Sequence, residues 1–325
     1  MLYTCDKEIT EVIRKLENET ILPYTSLCPT LAVIRTSSLE EGASSYLKSL
    51  QAVGHRYGAT VNDYIADTPI EVSQIINLLA ADSKINGIIV ISDYGNMNRI
   101  LYNLIPLRLD IDGLSSASLG NLFGALSPTA YWHAPCTAVA CLKIMEELND
   151  EPDFNGQKCL ILGRSIRVGR PLAEILTQKN MTVTLAHSNS PHTIASEPLN
   201  YQYVVSAIGK PNYWNNDNTI YTSSYKDNRI IDVGMNVDDN GKLCGDVDRD
   251  WLEEETSDSY DNTIITPVKN GVGKVTTTVL FAKLFENAAE SFKNAAGDFK
   301  LPPQAQLVPR PQTTEQQNPP VVVTE

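Results

Sequence analysis

The segment from residue 158 to residue 171 constrains the fold of this chain more than any other. A short apolar run at 159–162 has the length and composition of a buried parallel strand. Gly163 interrupts the run, and an apolar helical pattern begins near Val168. A strand, a glycine turn and a helix start together direct backbone N–H groups and the positive end of the helix toward an anion. The segment therefore predicts a phosphate cradle in an α/β fold.

The type of anion follows from the next strand. Gly163 and Gly169 do not form the usual G-x-G-x-x-G fingerprint, and a strand-glycine-helix turn taken alone is more often structural than cofactor-binding. A second strand at 182–186 is followed by His187 and Ser188, where NAD-binding folds commonly carry an acid for the ribose hydroxyl. A serine hydroxyl together with Arg164 suits a 2′-phosphate through charge-assisted hydrogen bonds. The pattern favours NADP over NAD.

The rest of the chain alternates between two periodicities. It predicts strands at 30–35, 59–65, 86–92, 203–209 and 229–235, and helices at 7–19, 39–57, 69–82, 138–148 and 276–292. This alternation predicts a doubly wound α/β sheet. Thr137 is the predicted N-cap of the helix that starts at residue 138.

Composition excludes several classes of function. The net charge of −13 leaves no basic patch for nucleic acid, and no run of 18 apolar residues is present to span a membrane. The N-terminal residues lack the character of a signal or transit peptide. The six cysteines show no metal-ligand spacing, so we expect no metal site and reduced thiols in a cytoplasmic protein.

The chain length of 325 residues is sufficient for two domains. From about residue 296 the sequence contains six of the chain's 18 prolines among Gln, Thr and Glu. Such a composition cannot bury enough apolar surface to fold, so the segment 296–325 is predicted to be a disordered tail.

Six motifs, in order and at matching spacing, resemble the bifunctional FolD family, methylenetetrahydrofolate dehydrogenase/methenyltetrahydrofolate cyclohydrolase. The resemblance covers roughly residues 30–295, and its motifs are Pro135-Cys136-Thr137, Gly163-Arg164-Ser165-x-x-Val168-Gly169-Arg170-Pro171, His187-Ser188, Asp232-Val233-Gly234-Met235-Asn236, Gly245-Asp246-Val247 and Thr266-Pro267-Val268-x-x-Gly271-Val272-Gly273. Several ordered motifs are far more specific than one.

The resemblance implies a two-domain α/β architecture. An N-terminal doubly wound α/β folate domain would comprise residues 1–135, with the last helix, 275–295, returning to it. A Rossmann-type NADP-binding domain, 136–274, would lie between them. The family binds a tetrahydrofolate derivative in the cleft between these domains, functions in one-carbon metabolism and purine biosynthesis, and is usually a homodimer.

The resemblance also implies roles for individual residues. Tyr46 matches the tyrosine that stacks on the pterin side of folate, and Asp112 matches the aspartate that hydrogen-bonds the pterin. The implied substrate-binding set is Tyr46, Val90, Ile91, Ser92, Asp112, Lys269, Gly271 and Gly273. The implied cofactor-binding set is Gly163, Arg164, Ser165, Gly169, Ser188 and Met235.

The chain departs from the family pattern at two catalytic positions. Leu50 stands where the family has its catalytic lysine, and Ile91 stands where it has a glutamine. Lys48 does not replace the lysine easily, because it is two residues from Tyr46 and therefore points about 200° around the helix from it. The folate loop also differs, since Lys269, Asn270 and Lys274 replace Pro, Gly and Pro, and Ala138 replaces a proline.

These substitutions bear unequally on the two reactions of the family. Hydride transfer is mainly a matter of positioning, whereas hydrolysis of the methenyl bridge requires a general acid or base. Leu50 and Ile91 can neither donate nor accept a proton. The sequence therefore predicts an NADP-dependent dehydrogenase with lost or weak cyclohydrolase activity. Two alternatives stay open: a catalytically degenerate paralogue that acts as an NADP-binding or partner subunit, and an enzyme for another substrate.

Overall fold

The structure of the protein is a computed structural model that describes residues 2–39, 41–124, 130–151, 153–190, 201–215, 228–255 and 263–295. The predicted tail at 296–325 lies outside the described residues. The described part contains two separate parallel sheets and a small antiparallel pair, which agrees with the predicted α/β class.

The first sheet contains three parallel strands in the order β3-β2-β4. Its strands and the helices of this half of the chain are α1 (Asp6–Leu16), β2 (Thr30–Arg35), α2 (Glu41–Tyr57), β3 (Thr60–Ile65), α3 (Pro69–Ala81), β4 (Ile85–Val90), α4 (Asn98–Leu104) and α5 (Ser116–Gly124). The central strand β2 is buried along four consecutive positions, as expected for a strand covered on both faces.

The second sheet contains six parallel strands in the order β1-β11-β8-β7-β5-β6. Its elements are β1 (Tyr3–Thr4), α6 (Cys136–Leu148), β5 (Lys158–Leu162), α7 (Gly169–Gln178), β6 (Thr182–Ala186), β7 (Tyr203–Ser206), β8 (Arg229–Asp232), α8 (Arg249–Glu255) and β11 (Ile264–Ile265). The pair β9 (Asn236–Val237) and β10 (Leu243–Cys244) is antiparallel. The strand order places β5 and β6 at one end of the sheet, where the predicted phosphate cradle begins.

The closing helix α9 (Val272–Ala295) packs against both halves of the chain. Its apolar residues from Val275 to Phe285 are buried in the same core as α1 and α6. Phe281 makes an edge-to-face contact with Tyr57 at the end of α2, with ring centroids 6.1 Å apart. The helix thereby packs against α2, which carries Tyr46 and Leu50, within the core that also includes α6.

Two details differ from the sequence prediction. The helix α6 begins at Cys136 with Pro135 at its N-cap position, and Thr137 makes no capping hydrogen bond, so the prediction of a Thr137 N-cap is wrong. The reason is that the fixed φ of proline prepares the chain for the helix two residues earlier than expected. The closing helix starts at Val272 instead of Thr276, because Gly271 is part of its entry turn.

The N-terminal strand joins the second sheet instead of the first. Tyr3 and Thr4 pair in parallel with Ile264 and Ile265 of β11. The domain boundaries at 135 and 275 stay a prediction. Within the described ranges, no helix combines the length and the apolar character needed to cross a membrane.

The turn that carries Asp112 is held by a buried carboxylate. Asp110 accepts hydrogen bonds from the backbone N–H groups of Gly113 (3.0 Å), Leu114 (3.2 Å) and Ser115 (2.8 Å). Gly113 has φ +74°, and a Cβ there would lie 2.6 Å from the carbonyl oxygens of His133 and Ala134. Only glycine fits this position.

We expect Gly113→Ala to destabilise the protein by about 2 kcal/mol, because it combines a left-handed backbone with contact against backbone atoms that cannot move aside. Gly120→Ala is the matched control, since Gly120 lies in α5 with open space around it. The control should be neutral or stabilise by roughly 0.5–1 kcal/mol. Denaturant unfolding of both variants measures the difference, and equal stabilities would contradict this account of the turn.

Candidate functional site: a cleft between a dinucleotide loop and a carboxylate turn

The loop after β5 is shaped by two glycines that allow very close backbone approach. Gly163 has φ +113°, and a Cβ there would lie 2.2 Å from the carbonyl oxygen of Ala207. A Cβ on Gly169 would lie 1.8 Å from the carbonyl oxygen of Gly163. No other residue type fits at either position, so the chain turns sharply from β5 into α7. This is the geometry that lets the backbone of such a loop reach a pyrophosphate.

Ser165 fixes the middle of this loop. Its hydroxyl accepts a hydrogen bond from the N–H of Val168 (3.1 Å), and its carbonyl accepts one from the N–H of Arg170 (3.1 Å). The ten-residue helix α7 then starts at Gly169 with its positive end toward the loop. The cofactor residues predicted in this segment, Gly163, Ser165 and Gly169, are therefore brought together.

The end of β6 supplies the other side of the cofactor site. Arg164 lies with a guanidinium nitrogen 3.5 Å from the Nε2 atom of His187. Arg164 and Ser188 are both exposed. Arg164 follows β5 and Ser188 follows β6, which pairs with β5, so both lie at the edge of the sheet where the ribose of a dinucleotide is held in folds of this kind. A cation and a hydroxyl suit a phosphate, and residues 187–190 include no carboxylate that could accept from a free 2′-hydroxyl.

The same loop reaches across the cleft to the carboxylate turn. Arg167 donates to the Oδ2 atom of Asp112 over 3.3 Å and to the hydroxyl of Tyr102 over 2.6 Å. Its guanidinium carbon also lies 5.5 Å from the centre of the Tyr102 ring. Burial raises the pKa of Asp112, and the Arg167 guanidinium opposes that rise. Cofactor loop and carboxylate turn therefore form one site.

Tyr46 lies beside this pair. Burial raises the pKa of Tyr46 well above its usual value, and the nearby charge of Asp112 raises it further, while Arg167 lowers it. The phenol therefore stays neutral at every physiological pH. The structure thus brings together Tyr46 and Asp112, the two residues for which the sequence implied direct roles with the substrate.

The two positions that depart from the family pattern belong to the protein core. Leu50 is 0% exposed and lies in the main apolar core. Ile91 is half-buried and packs against the same core, whereas Lys48 is exposed. Neither Leu50 nor Ile91 offers a polar atom to the cleft.

Other predicted substrate residues have different surroundings. Val90 is buried in the core of the first sheet, and the Ser92 hydroxyl accepts a hydrogen bond from the N–H of Thr36 over 2.9 Å. The neighbouring Thr36 hydroxyl lies 3.0 Å from it. These two residues therefore shape the end of β4, and their contact with substrate stays a prediction.

At the start of α9, Gly273, predicted to bind substrate, lies close to Met235, predicted to bind the cofactor. A Cβ on Gly273 would lie 2.7 Å from the Cε atom of Met235, so the folate loop touches the segment after β8. A Cβ on Gly271 would lie 1.7 Å from the carbonyl oxygen of Pro267, which excludes any side chain there. Lys269 is exposed at the start of this loop. Its contact with substrate stays a prediction too.

Sequence reasoning missed two cations. Arg167 occupies one of the two unspecified positions of its motif, and nothing local shows that it contacts a residue 55 positions earlier. Lys283 is buried in α9 and donates to the carbonyl oxygen of Ala134 over 2.6 Å. A lone charge inside the apolar run 279–285 was a signal that could have found it, because buried lysines are rare.

The fold and this cleft define a class of protein: two parallel α/β sheets with a dinucleotide-binding loop that faces a carboxylate from the other half of the chain. The family model described as "Tetrahydrofolate dehydrogenase/cyclohydrolase, NAD(P)-binding domain" matches residues 135–292. The bifunctional protein FolD of Streptococcus thermophilus is 33% identical over 291 residues, which cover 87% of this chain and 93% of that protein. The chain belongs to the FolD family.

Two further proteins agree with this assignment. FolD of Coprothermobacter proteolyticus is 34% identical over 269 residues, covering 82% of this chain and 92% of the relative. The crystal structure of the bifunctional 5,10-methylenetetrahydrofolate dehydrogenase/cyclohydrolase from Thermoplasma acidophilum superposes with a TM-score of 0.73 at 26% identity. That match covers 90% of this chain and 100% of the other. The predicted two-domain α/β fold and a nicotinamide dinucleotide cofactor are thereby confirmed, and the roles of Arg164 and Ser188 in binding that cofactor stay a prediction.

We expect Arg164→Ala to reduce the preference for NADP over NAD by roughly 10- to 100-fold, because one charge-assisted hydrogen bond contributes about 1.5–3 kcal/mol. The ratio of the two dissociation constants, measured by titration of each cofactor, tests this. Arg170→Ala removes an exposed cation from the same helix start and should leave the ratio unchanged. An unchanged ratio in Arg164→Ala would place the 2′-phosphate elsewhere.

Proposed function

We propose that the protein oxidises 5,10-methylenetetrahydrofolate to 5,10-methenyltetrahydrofolate with NADP, and that its cyclohydrolase step, to 10-formyltetrahydrofolate, is lost or very weak. The observation that carries the proposal is the contact of Arg167 with Asp112. It joins the loop suited to the dinucleotide to the carboxylate implied to bind the pterin, so that both ligands of a hydride transfer would be held side by side.

The residues of the cleft account for binding and orientation. Gly163, Ser165 and Gly169 shape the loop for the pyrophosphate, and Arg164 and Ser188 would hold the 2′-phosphate. When bound, NADP supplies the acceptor for the hydride. Tyr46 offers a neutral aromatic face to the pterin side of the folate, and Asp112 offers an acceptor to its N–H groups. Holding the methylene carbon against the nicotinamide requires no further proton transfer from the protein.

The hydrolytic step has different requirements. It needs an activated water and a group that moves protons, which typically contributes about 10²- to 10⁴-fold to a rate. The family positions for this role carry Leu50 and Ile91, whose apolar side chains contribute to the core. We therefore infer that hydrolysis of the methenyl bridge proceeds at a rate lower by that factor than in a FolD protein with lysine and glutamine.

The direct test is a spectrophotometric assay of the purified protein with 5,10-methylenetetrahydrofolate and NADP. We expect NADPH and methenyltetrahydrofolate to accumulate together, with little 10-formyltetrahydrofolate. Equal rates of dehydrogenase and cyclohydrolase would overturn the proposal for the second step. If no NADPH forms although NADP raises the melting temperature of the protein, the proposal that it oxidises 5,10-methylenetetrahydrofolate would be overturned.

Restoring the family residues should restore hydrolysis. We expect Leu50→Lys combined with Ile91→Gln to raise the cyclohydrolase rate at least about tenfold, since the pair would supply a proton-transfer group and a hydrogen-bond partner. Leu47→Lys combined with Ile91→Gln is the matched control, because Leu47 is buried on the same helix. Both double variants should melt at a lower temperature than the parent, and only Leu50→Lys with Ile91→Gln should gain cyclohydrolase activity. A gain in both variants, or in neither, would contradict the assignment of position 50 to the family's catalytic lysine.

The second candidate is a degenerate paralogue that binds NADP and acts as a partner subunit. It is favoured by the apolar surroundings of Leu50 and Ile91 and by the intact dinucleotide loop. The assay separates the candidates, because this one predicts NADP binding without turnover of the folate. We further propose a homodimer that works in the cytoplasm in one-carbon metabolism and purine biosynthesis; size-exclusion chromatography with light scattering tests the oligomeric state.

A further inference from the structure

The roles implied by the family resemblance do not account for Arg167. It comes from the dinucleotide loop, yet its side chain is directed at the carboxylate turn, where it meets Asp112 and Tyr102. The side chain is 47% exposed, so a ligand in the cleft can reach it.

In the pair formed by Arg167 and Asp112, a group that only donates hydrogen bonds lies beside a group that accepts them. A guanidinium has five N–H donors and no acceptor, and an ionised carboxylate has only acceptors. Two of the arginine donors are used by Asp112 and Tyr102 among the described residues. The other three guanidinium N–H groups and the Oδ1 atom of Asp112 make no hydrogen bond within the described residues, so both side chains of this contact have hydrogen-bonding groups left for a ligand.

The ring edge that matches this pattern is a lactam. In a lactam a carbonyl oxygen lies next to an N–H, so the carbonyl accepts from the guanidinium while the N–H donates to the carboxylate. The tetrahydropterin ring presents such an edge, with the oxygen on carbon 4 beside the N–H of nitrogen 3. A ring with an amino group on carbon 4 presents a donor to the guanidinium and loses the N–H that faces the carboxylate.

We propose that Arg167 is a specificity-determining residue, which together with Asp112 recognises the lactam edge of the substrate ring and rejects rings that carry a 4-amino group. The proposal rests on the proposed function, since it takes the folate to occupy this cleft. It goes beyond that function because it assigns a ligand contact to a residue of the dinucleotide loop.

Tyr102 has a supporting role. Its hydroxyl accepts from the second guanidinium nitrogen over 2.6 Å, and its ring lies beneath the guanidinium. Both contacts fix the orientation of the planar Arg167 guanidinium. This orientation determines which ligand atoms the guanidinium can reach, because its N–H donors all lie in one plane. Tyr102 is thus a positioning residue for Arg167.

The test is a binding measurement with tetrahydrofolate and its 4-amino-4-deoxy analogue, which differ in the substituent on carbon 4 and, as a consequence, in the hydrogen on nitrogen 3. Calorimetric titration under anaerobic conditions gives the ratio of their dissociation constants for the parent protein, for Arg167→Ala and for Arg170→Ala. We expect the parent to prefer the 4-oxo ligand and Arg167→Ala to lose at least about tenfold of that preference, the value of one charge-assisted hydrogen bond. Arg170→Ala, which changes an exposed arginine three residues away, should retain the parent ratio.

Two more variants separate recognition from a merely structural role. Arg167→Lys keeps the charge without the planar fork and should retain only part of the preference. Tyr102→Phe leaves Arg167 in place without its hydroxyl partner and should lower the preference to a smaller extent. If Arg167→Ala weakens both ligands equally, or neither, the proposal is overturned and Arg167 is a tether between loops.

The proposed function is tested by a different outcome, the binding of tetrahydrofolate to the parent protein. If the parent protein binds neither ligand while it still binds NADP, the folate assignment fails and this proposal fails with it. If the parent binds tetrahydrofolate and all ratios are equal, only the proposal for Arg167 fails. Melting temperatures of the variants, measured in the same buffer, show whether each is folded.

Discussion

The contact of backbone with backbone between Gly163 and Gly169 is the constraint on which both halves of the site depend. A Cβ on Gly169 would lie 1.8 Å from the carbonyl oxygen of Gly163, so the loop can close only with glycine at position 169. Two arginines of the closed loop make contacts on opposite sides of it. Arg164 turns toward the end of β6, and Arg167 turns toward the carboxylate turn of the other half of the chain.

Buried carboxylates hold the loops around this constraint. Asp110 orders the turn that presents Asp112, and Asp246 accepts from the N–H groups of Ile208 (2.7 Å) and Lys210 (3.1 Å) after β7. Asp232 accepts from the N–H groups of Gly234 and Asp246, both at 3.0 Å, and burial raises its pKa to about 6. Loops tied in this way are held by partners within the chain, because the carboxylates satisfy their backbone N–H groups.

The distribution of polar groups across the cleft agrees with hydride transfer more than with hydrolysis of the methenyl bridge. Hydride transfer needs the two ligands held in place, and the residues suited to holding them, Tyr46, Asp112 and the glycine loop, are all at the cleft. Hydrolysis needs a proton carrier, and at positions 50 and 91 the chain has side chains that pack in the core. The buried ammonium of Lys283 lies near the same turn, but it is engaged with the backbone of Ala134.

The sequence by itself determined the α/β class, the strand-glycine-helix turn and the NADP preference, because each rests on residues that are neighbours along the chain. The ends of α6 and α9 were less well predicted, since Pro135 and Gly271 act through local geometry that hydrophobic periodicity does not register. Only the tertiary structure decided that β1 joins the second sheet, that Leu50 lies in the core and that Arg167 meets Asp112. These facts depend on contacts between distant parts of the chain, and such contacts form only when the two sheets and the closing helix have packed together.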